Sequence, residues 1–141
     1  MRGAPPAAAF LALALAACGT VKSPTEPVEG PEGPAFTFSQ IQINIFTPIC
    51  SKAGCHDAAT AQNGLVLAAG QSYGLLVNHA SLGSALPRVA PGDPERSYII
   101  KKLRGDPDIS GDRMPQDGPP YLTPEQIAGI AGWIREGALN D

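Results

Sequence analysis

The chain has 141 residues and a formal net charge of −3 at pH 7. It is long enough for one folded domain and has no basic stripe of the kind that binds nucleic acid. Aromatic residues make up only 6% of it, against 16 glycines and 15 prolines. This composition predicts a small core and long loops, so a disulfide or a bound apolar group is needed to complete the core.

Residues 1–17 predict a signal peptide. A short positive start precedes an apolar run over 7–17, which is too short to span a bilayer comfortably. The run ends in LAAC, which resembles a bacterial lipobox, in which the cysteine (here Cys18) becomes the lipidated N-terminus. The alternative is an ordinary cleavage site with a coincidental cysteine. We expect a lipid-anchored envelope protein facing the periplasm or the cell surface. Gly19 favours the outer membrane, by resemblance to proteobacterial lipoproteins.

Residues 18–35 are rich in Pro, Gly, Glu and Thr and contain almost nothing to bury. Such a segment predicts a flexible tether rather than a packed element. The folded domain is therefore expected over 36–141. No internal repeat and no second domain is visible in that stretch.

The first element of the domain is predicted to be a helix over 38–47. Thr37 or Ser39 can cap its start, and Pro48 is expected to end or bend it. The β-branched run Ile-Gln-Ile-Asn-Ile leaves a strand as the alternative. Helix is favoured because apolar residues recur at helical spacing, at Phe38, Ile41, Ile45 and Ile49.

The middle of the domain predicts short elements and loops. The apolar run GLVLAAG over 64–70 is expected to be extended or irregular. A short helix is predicted over 71–78, followed by a loop over 81–90. The inward-facing residues of that helix are predicted to be Tyr73, Leu76 and Val77.

A further helix is predicted to begin at Pro94. Asp93 is a suitable N-cap, proline suits the first helical position, and Gly105 stops the helix. A loop over 106–120 follows and holds Met114. The residues of this helix expected to face the core are Tyr98, Ile99 and Leu103.

The last helix has the clearest pattern. Thr123 is its predicted cap, Pro124 takes the first position, and Gln126 completes a capping box. Trp133 lies on the flank of the apolar stripe and Gly137 marks the end. The stripe itself consists of Ile127, Ile130, Ala131, Ile134 and Ala138.

The segment CSKAGCH places Cys50 and Cys55 directly before His56. Two thiols followed by an imidazole suit covalent haem attachment, since the thiols add to the vinyl groups and the histidine ligates the iron. The usual motif has two residues between the cysteines; the four found here require a bulge, which Gly54 permits. A disulfide between the two cysteines is the competing interpretation. Zinc is less favoured because no second cysteine-rich knuckle exists.

A sixth ligand to such an iron is expected from a distant loop. Met114 is the only methionine after the predicted signal peptide. It lies in a loop without a helical pattern, where a core residue would not be expected. A thioether is a soft ligand that favours ferrous iron. The alternatives are that Met114 only fills a gap in the core, or that His79 is the ligand. Loop histidines such as His79 are more often simply solvated.

Four stretches in order resemble a known family, the small monohaem c-type cytochromes, especially the planctomycete-type cytochrome c domains of exported bacterial proteins. They are IFTPICSKAGCH, PGDPERSYIIKKL, GDRMP and LTPEQIAGIAGWIREGA. The resemblance covers nearly all of residues 38–139. It implies Cys50 and Cys55 as the attachment residues, and His56 and Met114 as the axial ligands.

The resemblance also implies an all-α, cytochrome c-like domain of three to four short helices wrapped by long loops around one covalent haem c. The expected function is extracytoplasmic one-electron transfer and not an enzyme activity, because a six-coordinate iron has no open site for substrate. We expect a monomer that meets redox partner proteins transiently, is held to the membrane by its N-terminal lipid, and binds no nucleic acid. Two alternatives remain. One is a haem-free, disulfide-closed lipoprotein module that binds a partner or supports the envelope. The other is a haem sensor in which Met114 is displaceable.

Overall fold

The structure, a computed structural model, describes residues 1, 3 and 34–141. The predicted signal peptide, Cys18 and nearly all of the predicted tether lie outside the described residues. Within 34–141 the chain forms four α-helices, and α1 continues directly into a π-helical segment at Gln42–Cys50. None of these helices is long and apolar enough to cross a membrane. The helices are α1 (Phe38–Ile41), α2 (Ser72–Leu76), α3 (Tyr98–Arg104) and α4 (Pro124–Arg135).

Helix α1 begins where the sequence predicts, and together with the π-helical segment the helical stretch runs further than expected. Thr37 is its cap: Thr37 Oγ1 accepts from Gln40 N–H, and the Gln40 side chain accepts from Thr37 N–H. The helical prediction is confirmed over the strand alternative. The predicted end near residue 47 is wrong, because the chain widens into π-helical turns that carry it through Pro48 to Cys50. A proline ring crowds the carbonyl four residues back, and the wider turn relieves that crowding.

Helix α4 anchors the core. Its capping box at Thr123 and Gln126 is present as predicted. Trp133 is 2% exposed and packs against Phe38, with ring centroids 5.4 Å apart. Its indole N–H donates to the carbonyl of Leu139 at 2.8 Å, so the polar end of this large side chain is satisfied. The aromatic contact joins the last helix to the first one.

Helix α3 begins later than predicted, at Tyr98 instead of Pro94. Asp93 does cap, but it caps a separate turn: its carboxylate accepts from Arg96 N–H at 3.0 Å. The buried Ser97 hydroxyl donates to the Asp93 carbonyl at 2.8 Å and accepts from Ala90 N–H at 2.8 Å. These bonds hold the turn in place and delay the helix. Helix α3 ends at a left-handed glycine, Gly105 (φ +77°), as predicted.

The remaining segments mostly match their predictions. Of the range 64–70, predicted to be extended or irregular, residues 65–70 contain no helix or strand, and Gly64 ends a short 3-10 helix at Gln62–Gly64. Helix α2 lies inside the predicted range 71–78. The loop over 81–90 carries the partners of two isolated β-bridges, Val77 with Val89 and Ala80 with Pro87. The two ends of the domain meet, because Phe38 N–H donates to the Asp141 carboxylate at 2.8 Å.

Candidate functional site

A cavity of about 390 Å³ lies between the π-helical segment, α3 and three loops. Its volume falls within the range of roughly 300–1,000 Å³ that is typical of small-molecule and cofactor sites. Its floor is apolar and several of these side chains are fully buried, as expected of a site that binds a largely apolar group. The floor consists of Ile45, Phe46, Ile49, Leu67, Leu76, Ile99 and Leu103.

The four predicted cofactor residues surround this one cavity. Cys50, Cys55 and His56 line one part of its wall, and Met114, nearly sixty positions further along the chain, lines another. His79, the rival to Met114, is exposed and does not line the cavity. Its Nδ1 lies 3.2 Å from the carbonyl of Ala80, the next residue. The structure thus brings together Cys50, Cys55, His56 and Met114 and leaves His79 outside.

The residues between the two cysteines form a tight turn. Cys55 N–H donates to the Lys52 carbonyl at 3.0 Å, and His56 N–H donates to the Cys50 carbonyl at 3.2 Å. Gly54 has φ +83°, a conformation that costs glycine little. The bulge expected from the wide cysteine spacing is therefore present. Both thiols are free and partly buried at the cavity wall, and burial raises the pKa of Cys50 to about 12.

The His56 ring is oriented by a backbone carbonyl. Its Nδ1–H donates to the Leu65 carbonyl at 3.1 Å, which leaves Nε2 with a lone pair available to a metal. The backbone supports this arrangement, since Leu67 N–H donates to the His56 carbonyl at 2.7 Å. Burial lowers the pKa of His56 and so favours the neutral ring. An imidazole held by its other nitrogen is the usual arrangement of a metal-ligating histidine.

Met114 is held against α3 by its backbone. Its N–H donates to the Lys102 carbonyl at 2.9 Å, and the neighbouring Arg113 Nε donates to the Leu103 carbonyl at 2.8 Å. Both carbonyls belong to the last turn of α3, where no further helical N–H reaches them. The thioether is partly buried against the core and lines the cavity. Although its loop has no regular structure, Met114 is therefore fixed beside the last turn of α3.

The cavity also has a polar end that the sequence analysis missed. Arg88 is 7% exposed and donates to the carbonyls of Leu75 and Asn63 at 2.7 and 2.9 Å. Among the described residues no carboxylate forms an ion pair with it, and burial lowers its pKa. Ser81 also lines the cavity, and its buried hydroxyl has no hydrogen-bond partner among the described residues.

One signal for Arg88 was available in the sequence. Between Asp57 and Asp93 it is the only charged residue other than histidine. Such isolation is compatible with burial, but composition alone does not reveal that the side chain reaches a cavity. Nothing in the sequence marks Ser81.

In residues 34–141 no group of three or more His, Cys, Asp or Glu side chains is arranged to hold a metal ion. No protein-family model, no curated protein and no solved structure matches the chain.

Proposed function

We propose that this protein is an exported one-electron carrier that binds one haem covalently in the cavity. Cys50 and Cys55 would hold the macrocycle, and His56 and Met114 would be the axial ligands. The observation that carries the proposal is that two unbridged thiols, an oriented imidazole and a thioether from a distant loop line the same apolar cavity. When bound, haem supplies the reversible exchange of one electron.

The residues present fit the chemistry of haem. The apolar floor suits the macrocycle and excludes water from it. Arg88 forms a polar end of the lining that suits the carboxylates of the same molecule. A buried cation without a counter-ion is costly, and a bound carboxylate would neutralise it. The lining therefore offers a partner for each chemical part of the group.

Each proposed ligand has a distinct role. The Leu65 carbonyl fixes the His56 tautomer, so the histidine binds through Nε2. Met114 supplies a soft thioether, which favours the reduced form. Because both axial positions would be filled, no position remains for a substrate, and we propose no enzyme activity.

The partners and location follow the same proposal. Electron exchange would occur at the exposed turn between Cys50 and Cys55, through a small and transient contact with a redox protein. Lys52 lies in this turn and pairs with Asp117 across the cavity rim, at 3.1 Å. The protein would act as a monomer, held by lipid at Cys18 in the cell envelope, with the outer membrane favoured.

The deciding experiment expresses the full chain in a bacterium that performs periplasmic haem attachment. A pyridine haemochrome spectrum that survives acid extraction of free haem, with one haem per chain by mass spectrometry, is the expected result. A colourless protein in which Cys50 and Cys55 are joined by a disulfide would overturn the proposal in favour of the haem-free module. Cys50→Ser should leave one thioether, and full double attachment in that variant would contradict the role of Cys50.

Axial ligation is tested by a matched pair of variants. Met114→Ala should lower the reduction potential and open the iron to added imidazole or carbon monoxide. His79→Ala should leave both properties unchanged. The reverse pattern would assign the sixth position to His79. A wild-type protein that binds carbon monoxide readily in the reduced state would instead support the sensor alternative.

A further inference from the structure

Lys102 contacts the methionine loop at three places. Its Nζ donates to the carbonyl of Ser110 at 2.9 Å and to that of Asp112 at 2.5 Å. Its own backbone carbonyl accepts from Met114 N–H at 2.9 Å. Lys102, in the last turn of α3, therefore binds the loop at Ser110 and Asp112 and also at Met114 itself.

These bonds are the main interactions of the Lys102 ammonium. Among the described residues it forms no ion pair with a carboxylate, and it lines the cavity. Hydrogen bonds from a charged donor are roughly twice as strong as neutral ones. Lysine in the last turn is also favoured by the helix dipole. The loop over 110–113 therefore packs around the Lys102 ammonium, and α3 fixes the position of that lysine.

The neighbouring Lys101 makes a different set of contacts. Its ammonium pairs with Asp108 at 2.9 Å and lies near Asp106 at 3.8 Å. It does not line the cavity, and it makes no side-chain bond to residues 110–114. The two lysines share a helix turn and a charge, so they form a natural comparison.

We propose that Lys102 is a positioning residue for Met114, setting where the thioether sulfur lies in the cavity. This inference rests on the proposed function for its effect on the iron, but the positioning itself concerns only this chain. If the ammonium is removed, the loop over 110–113 loses two of its anchors. The Met114 N–H bond to the Lys102 carbonyl and the Arg113 bond to the Leu103 carbonyl remain. The sulfur then spends less time in reach of the sixth position, and an added ligand competes more successfully.

The test compares Lys102→Leu with Lys101→Leu in the haem-loaded protein. Loss of charge-assisted hydrogen bonds changes an equilibrium constant by on the order of tenfold or more. We expect ferric Lys102→Leu to bind imidazole about tenfold more tightly than wild type, whereas Lys101→Leu stays close to it. Equal imidazole affinities in the two variants would overturn the inference. So would a fall in reduction potential without a change in imidazole affinity, since that is the result of losing charge alone.

A second measurement does not depend on haem. Hydrogen exchange at the Met114 amide, followed by NMR, should be about tenfold faster in Lys102→Leu than in Lys101→Leu. Unchanged exchange would contradict the positioning role, whether or not the protein holds haem. A wild-type protein without haem would refute the proposed function separately, before any variant is compared. If Lys102→Leu does not fold, Lys102→Gln is judged by the same two criteria, with a smaller effect in the same direction.

Discussion

Gln42 offers a test of how the histidine segment is held in place. Its side chain is 8% exposed and completely paired. Its Nε2 donates to the Leu67 carbonyl and to Thr47 Oγ1, both at 3.0 Å, and its Oε1 accepts from the Ser72 hydroxyl at 2.5 Å. Leu67 in turn bonds His56 through its backbone N–H. One buried amide therefore joins the first helix, the segment beside the histidine and α2.

Gln42→Met keeps the size of the side chain and removes all of these bonds. The Leu67 carbonyl and the fully buried Ser72 hydroxyl would be left without a partner. Each such group costs about 1–3 kcal/mol, so the variant should lose roughly 2–6 kcal/mol of unfolding free energy. A domain has about 5–15 kcal/mol in total. At about 4–8 °C per kcal/mol, the melting temperature should fall by at least about 8 °C.

The assay is urea unfolding and thermal melting followed by circular dichroism. Gln40→Met is the matched control, because Gln40 is exposed and its side chain accepts only the capping bond from Thr37 N–H. Loss of this one exposed bond is expected to cost at most about 1 kcal/mol. Adding Ser72→Ala to Gln42→Met should recover about 1 kcal/mol by removing one unpaired group. A Gln42→Met variant as stable as the control would refute this account of the buried network.

Two further predictions concern stability. Gly132→Ala should destabilise the protein by about 1–3 kcal/mol by overpacking, because a Cβ at this position would lie 2.8 Å from the Ala35 Cα. Gly74→Ala is the control in α2, since a Cβ there would meet nothing within 4 Å. It should be neutral or slightly stabilising in the same melting assay. The bonds from Arg104 lower the pKa of Glu95. The ion pair therefore adds to the unfolding free energy above the carboxylate pKa of the unfolded chain, and this contribution is lost as the pH falls through the lower pKa of the folded state. Glu95→Gln should cost below about 1 kcal/mol at pH 7 and nothing at pH 2, and a loss of stability that persists at pH 2 would contradict this.

Local signals in the sequence were enough to predict the helices whose ends are set by neighbouring residues. The Thr123 and Gln126 capping box is an example, because both partners lie within one turn. The same reasoning misplaced the start of α3, since Asp93 and Pro94 have the pattern of a helix start. The bonds of Ser97 to Ala90 and Asp93 decide the outcome, and those bonds depend on burial that a local pattern does not show.

The candidate site divides in the same way. Cys50, Cys55 and His56 are adjacent in sequence, so their chemistry is readable from spacing alone. The Leu65 carbonyl that orients His56 and the polar end at Arg88 were not predictable, because each depends on how distant loops pack. Met114 could be named only through the family resemblance and its loop context. Met114 is far from the cysteine segment in the sequence. Only the tertiary structure brings the two to one cavity, and a single sequence does not show this.

The hydrogen bond from Phe38 N–H to the Asp141 carboxylate places the first residue of α1 beside the C-terminal residue. The π-helical segment continues α1, and the residues of this stretch that line the cavity lie towards its other end, at Ile45, Phe46, Ile49 and Cys50. Both ends of the domain therefore lie at one end of this helical stretch, and the turn between Cys50 and Cys55 lies at the other. A surface coupled to the protein through either end would leave that turn on the opposite side.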